Sequence, residues 1–139
     1  MKEVFLMNIE IGTENSVSTV VDETNIASSA KSGALPVFAT PCMVALMEQA
    51  AAELVQRSLD DGSTTVGIQM NVSHLAATAV GATVTATATV TAVVGRKIDF
   101  EVTAFDNAGM IGKGEHTRFV VYTEKFMAKA EERKNIVAK

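Results

Sequence analysis

Between Ala82 and Val94 the chain sets threonine at positions 83, 85, 87, 89 and 91 against Val84, Ala86, Ala88, Val90 and Ala92. A strict period of two suits a pleated strand and no helix, because successive strand side chains point to opposite faces. One apolar face and one hydroxyl face predict a long, half-buried antiparallel strand with its threonines toward water. Such a strand needs partners, and the flanking residues provide them. Ser16 to Val21 alternate hydroxyl residues with valine. Gly95-Arg96 is a turn signal into Lys97 to Phe105, where Ile98, Phe100, Val102 and Ala104 alternate with polar residues. Asp106-Asn107-Ala108-Gly109 reads as a hairpin loop into Met110 to Tyr122.

Against this β pattern stands one strongly apolar helical segment. Met43, Leu46, Met47, Ala50, Leu54 and Val55 recur at spacings of three and four, which predicts a core-facing helix ending near Asp60-Asp61-Gly62. Thr40 is expected as its N-cap, with Pro41 at the first helical position, where a missing N–H costs nothing. The period returns to two from Thr64 to Leu75, placing Val66, Ile68, Met70, Val72 and His74 on one predicted face. Gly112 and Gly114 remove side chains from the last strand, as a helix crossing the sheet would require. Asp22 to Gly33 reads as a polar loop able to carry a covering segment, and Thr123 to Lys139 as an amphipathic helix or a tail. One α+β domain spanning 1–139 is expected, with about six strands and one central helix.

The 139 residues include 12 basic and 16 acidic side chains, a formal charge of −4, and no basic run beyond Arg96-Lys97 before the C-terminal segment. That balance argues against nucleic acid as the main partner. Apolar runs are far shorter than the roughly 20 residues that cross a bilayer, so no membrane span is expected. Met1 to Met7 lacks the apolar core of a secretory signal, which makes a cytoplasmic protein the default. Cys42 is the single cysteine, so there is no intrachain disulfide and no multi-cysteine zinc site. With only His74 and His116 besides, no metal centre is expected.

Few groups remain for chemistry. Glu48 falls at the edge of the helix's apolar stripe, where it is either a boundary carboxylate reaching water or a general base or nucleophile. Thr40 sits at the positive end of the helix dipole, beside free backbone N–H groups suited to a developing oxyanion. His74 ends a strand on the predicted inward face and is either a core histidine or a catalyst. Arg118 shares a strand face with His116 and is suited to a carboxylate or a phosphate. Eight residues of straight helix separate Thr40 from Glu48 by ~12 Å, so the two are not expected to touch.

In order and spacing, Ala39-Thr40-Pro41 followed by Glu48, then Gly67 and His74, then Gly114-Glu115-His116-Thr117-Arg118, resembles the fluoroacetyl-CoA thioesterase-like family of hot-dog proteins. The resemblance runs from about Ser16 to Tyr122. It implies a hot-dog fold, a curved antiparallel sheet wrapped around one helix, with dimers formed through sheet edges and sites at the dimer interface. It assigns catalysis to Thr40, Glu48 and His74, and substrate contacts to Gly67, Phe38 and Arg118. No cofactor is implied; a CoA thioester is the substrate. One departure is local: Lys31 to Val37 holds no aromatic residue to match the aromatic lid of the fluoroacetyl-specialised enzyme, and Phe38 is the nearest.

The expected protein is therefore a homodimeric acyl-CoA thioesterase for small or medium acyl groups, with Glu48 as base or nucleophile. A non-catalytic acyl-CoA or small-ligand binding module is the alternative, and hydratase chemistry a third reading; fold alone decides none of them.

Overall fold

The structure is a computed structural model that describes residues 9–138; the Met1 to Met7 stretch lies outside them. Among the described residues, five strands form one antiparallel sheet, where about six were expected. They are β1 (Glu14–Val20), β2 (Ser63–His74), β3 (Thr83–Val94), β4 (Lys97–Asp106) and β5 (Gly109–Tyr122). Their order across the sheet is β1-β3-β4-β5-β2, which leaves β1 and β2 as edges. Three helices complete the described chain: α1 (Ala27–Ala30), α2 (Thr40–Gln56) and α3 (Thr123–Arg133). None is long and apolar enough to cross a membrane.

The sheet curves around α2, and the period-two segments supply the inner face. Val84, Ala86, Ala88 and Val90 of β3 and Ile98, Phe100, Val102 and Ala104 of β4 are buried. The β3 threonines face outward, and two of them pair with β1 hydroxyls, Thr85 with Ser18 and Thr87 with Ser16, each at 2.7 Å. Alanines on the inner face leave room for the helix to seat closely. All six helix positions expected from spacing are buried in α2, together with Ala51. Each large apolar side chain so buried contributes about 1.5–3 kcal/mol before entropy is counted. Gly112 is part of this fit, since a Cβ there would lie 2.5 Å from Met43 Sδ of the crossing helix.

Two-residue turns join the hairpins: Gly95 (φ 61°) and Arg96 close β3–β4, and the Asp106 carboxylate accepts from the Ala108 and Gly109 N–H groups to close β4–β5. The predicted polar loop after β1 contains the short α1. The central helix stops at Gln56, earlier than expected, and residues 57–62 turn into β2. Helix α3 buries none of its residues.

Strand β2 differs from its simple alternation. Its register against β5 shifts between Gly67 and Gln69, so Ile68 is an extra residue in a bulge. Before it, Ser63 and Thr65 are buried; after it, Met70, Val72 and His74 are half-buried while Gln69, Asn71 and Ser73 are exposed. The expected five-residue face is thus broken. Val66 belongs to the opposite face, and Ile68 is 56% exposed.

Candidate active site

Thr40 is the first residue of α2 rather than its cap. Ala39 holds the N-cap position in extended conformation and makes no side-chain capping bond. Pro41 then sits second, still within the turn whose N–H groups lack helical partners. The reason Thr40 does not cap is visible in its side chain: Oγ1 lies 2.7 Å from Nδ1 of His74, at the end of β2. Pro41 offers no N–H, and those of Cys42 and Met43 turn back onto the Ala39 carbonyl. The helix start therefore presents fewer free donors than its position suggested.

His74 keeps its other nitrogen in reserve. Nε2 is buried and has no hydrogen-bond partner among the described residues. Desolvation lowers the imidazole pKa below its ordinary 6.5, while the Ala76 backbone, which makes no well-formed bond to the ring, pulls weakly the other way. The ring is neutral near pH 7, and either tautomer satisfies the Thr40 contact. A shallow hollow of about 300 Å³ opens over this pair, lined by Ala27, Ser32, Val37, Phe38, Leu75 and Ala77 among others. Phe38 borders it from the core, at 2% exposure.

Two turns along α2, Glu48 belongs to a second cluster. Its Oε2 lies 3.4 Å from Arg118 Nη1, with the Glu48 side chain 41% exposed and that of Arg118 9%. The helix-edge carboxylate therefore reaches water, as the boundary reading expected, and is ion-paired as well. Arg118 is anchored from behind: Nε donates to Thr65 Oγ1 at 2.8 Å and Nη2 to the Thr65 carbonyl at 3.1 Å. Burial pushes the guanidinium below its ordinary pKa, and the Glu48 charge opposes that shift; the group stays protonated. Gly67 faces this cluster, where a Cβ would stand 2.5 Å from Glu48 Oε2, 3.0 Å from His116 Cε1 and 3.2 Å from Arg118 Nη1. A glycine is what admits the carboxylate.

Of the six residues singled out from sequence, the chain thus gathers Thr40, His74 and Phe38 at one place and Glu48, Gly67 and Arg118 at another. The fork of Arg118 is directed to protein groups rather than presented to a ligand phosphate. Thr65 and His116 complete the second cluster. The shared face of His116 and Arg118 was visible as strand alternation, whereas Thr65 was hidden by the bulge. Among the described residues, no three His, Cys, Asp or Glu side chains converge to hold a metal ion.

The family model described as the fluoroacetyl-CoA-specific thioesterase FlK matches residues 21–124. The fluoroacetyl-CoA thioesterase of Streptantibioticus cattleyicolor is 42% identical over 97 residues, 70% of each chain. The solved structure of the fluoroacetyl-CoA thioesterase FlK superposes with a TM-score of 0.86 at 34% identity, covering 94% of this chain and 99% of that one. A hot-dog-like protein from Thermanaerovibrio acidaminovorans superposes at 0.85 with 26% identity, covering 96% and 98% of the two chains. A five-stranded antiparallel sheet curved around a central helix is the hot-dog fold, and with 104 of its residues matched this chain belongs to the fluoroacetyl-CoA-specific thioesterase family.

Proposed function

We propose that this thioester hydrolase cleaves small or medium acyl-CoA thioesters, using Glu48, Thr40 and His74 together across a homodimer. The observation that carries the reading is the division of those side chains between two clusters, each incomplete alone. Glu48 is the group that activates water or attacks the acyl carbon. His74, neutral and held by Thr40 through Nδ1, donates a hydrogen bond from Nε2–H to the thioester oxygen and then to the departing thiolate, keeping its own proton throughout. Thr40 orients that ring, and in this tautomer its hydroxyl donates to Nδ1. The start of α2 adds a favourable dipole for negative charge on oxygen.

A partner chain is the simplest way to unite the clusters. Gly67, beside Glu48, and His74 lie about 20 Å apart along β2 at ~3.3 Å per residue. Strand β2 is an open edge. If two copies pair antiparallel about a two-fold axis midway between those positions, Gly67 of one strand meets His74 of the other. Each Glu48 then faces a Thr40–His74 pair from the second subunit.

The small residues around the hollow, Ala27, Ser32, Ala76 and Ala77, and the absence of aromatics from Lys31 to Val37 support a broader acyl range than fluoroacetyl alone. Free-thiol release from a panel of CoA thioesters, including acetyl, fluoroacetyl and butyryl, tests the proposal with wild type and Glu48→Ala. The expected loss in the variant is roughly 100-fold or more in kcat. Equal rates would remove Glu48 from the mechanism, and tight CoA-ester binding without thiol release would make the protein a binding module.

A further inference from the structure

His116 takes no part in the chemistry proposed above, yet at 2% exposure it is the most deeply buried ionisable side chain among the described residues. Its two nitrogens have partners of opposite character. Nδ1 lies 2.8 Å from the Gln69 carbonyl, which only accepts, so Nδ1 carries the proton. Nε2 lies 3.1 Å from Arg118 Nη1, which only donates, so Nε2 presents its lone pair. A single neutral tautomer satisfies both. The Phe100 ring, stacked at 6.0 Å and 27°, keeps the imidazole plane from turning.

The location of these partners gives the arrangement a purpose. Gln69 follows the extra residue of the β2 bulge, next to the turn of strand that carries Gly67. Arg118 has Nε and one Nη2 hydrogen committed to Thr65, while Nη1 serves both His116 and Glu48. Wherever His116 places Nη1, the Glu48 carboxylate follows. The groups facing the ring are Arg118 from β5, Glu48 from α2, Gln69 from β2 and Phe100 from β4. A proton on Nε2 would set an imidazolium against a guanidinium, and both burial and Arg118 hold the pKa below its ordinary value.

We infer that His116 is a positioning residue: as a neutral Nδ1–H imidazole it ties the β2 bulge to Arg118 and so fixes the Glu48 carboxylate over Gly67. The inference rests on the reading of Glu48 as the reacting carboxylate. It assigns His116 no contact with substrate and no proton transfer.

Three variants and one spectrum test it. His116→Phe keeps the ring and its stacking but removes both hydrogen bonds, and is expected to lower kcat roughly 10- to 100-fold with KM within about threefold. His116→Gln returns an acceptor to Arg118 and is expected to recover kcat to within about fivefold of wild type. If both variants lose thermal stability while kcat per folded molecule is unchanged, the inference is overturned. The ¹⁵N spectrum of ring-labelled wild-type protein is expected to show the neutral Nδ1–H form at pH 7, persisting below pH 6.5. An Nε2–H tautomer or an imidazolium at pH 7 overturns the inference even if His116→Phe fails to fold. Glu48→Ala separates the two readings. If it is inactive while His116→Phe turns over at the wild-type rate, positioning by His116 fails alone; if Glu48→Ala is fully active, the reading of Glu48 fails with it.

Discussion

The start of α2 and its middle solve opposite problems with the same kinds of side chain. Thr40 and His74 share one hydrogen bond beneath an open hollow and leave a buried nitrogen uncommitted. Glu48 and Arg118 stand before a buried lattice in which Thr65, His116 and the Gln69 carbonyl account for most donors and acceptors. The first arrangement costs little to build and leaves a nitrogen open to a further partner. The second is costly to desolvate and tolerable only because almost every polar atom is paired. An open, half-committed pair and a fully paired network thus stand at different places along one helix.

Several experiments would break or sharpen that contrast. The largest effect is expected from mixing Glu48→Ala chains with His74→Ala chains: each alone is at background, whereas an equimolar, fully exchanged mixture regains about a quarter of wild-type activity if each site draws on both subunits, because about half of its dimers are mixed and each of those has one intact site of two. A mixture that stays at background, or a micromolar monomer by light scattering, would return both clusters to one chain. Next, Thr40→Val is expected to lower kcat roughly 100-fold while Thr40→Ser stays within about fivefold, since the hydroxyl rather than the methyl group orients His74. Matching losses in both variants would make Thr40 a packing residue.

Gly67→Ala is expected to reduce kcat about tenfold and to destabilise by only about 1 kcal/mol, because the mobile end of Glu48 yields before the buried network does. A large drop in Tm with unchanged kcat would reverse that order. The smallest effect is on pH and stability. His74 and His116 both have folded pKa values lowered from 6.5 by burial. Above that value neither state takes up protons at these rings. As pH falls through 6.5 the unfolded chain binds protons that the folded chain resists, and stability declines toward the lowered folded values. Urea midpoints are expected to be flat from pH 8 to 7 and to fall toward pH 5, with a shallower fall in His116→Phe.

The parts of this molecule that obey one unbroken period were legible without coordinates. Threonines on alternate positions of β3 fixed its two faces as far as Val90, beyond which a bulge at Thr91 puts Ala92 opposite Asp99 and Val93 opposite Ile98, and the three-and-four spacing in α2 named its buried residues, because burial of a whole face outweighs local preference. What escaped was set by single residues or by main-chain atoms. Thr40 looks like a cap in composition, but a histidine 34 positions away competes for its hydroxyl. Helix α2 ends at Gln56, short of Asp60-Asp61-Gly62, although the turn before β2 continues a polar, helix-compatible run to Asp61. Glu48 and Arg118 were both visible as groups suited to ion pairing, yet nothing in their spacing announced that they meet. The Gln69 carbonyl, half of the hold on His116, has no side-chain signature at all.

The bulge at Ile68 gives β2 something like a reading frame. One extra residue lets the first half of the strand show Thr65 and Gly67 to the helix and the second half show Met70, Val72 and His74. Substituting Ile68 changes one letter of that text. Removing it would only straighten the strand, since Gly67 and Gln69 already face the consecutive Arg118 and Thr117, whereas removing a residue after it would turn His74 away from Thr40. Along this strand, the bulge is the one place where a single-residue change of length preserves both clusters; between it and His74 only even steps do.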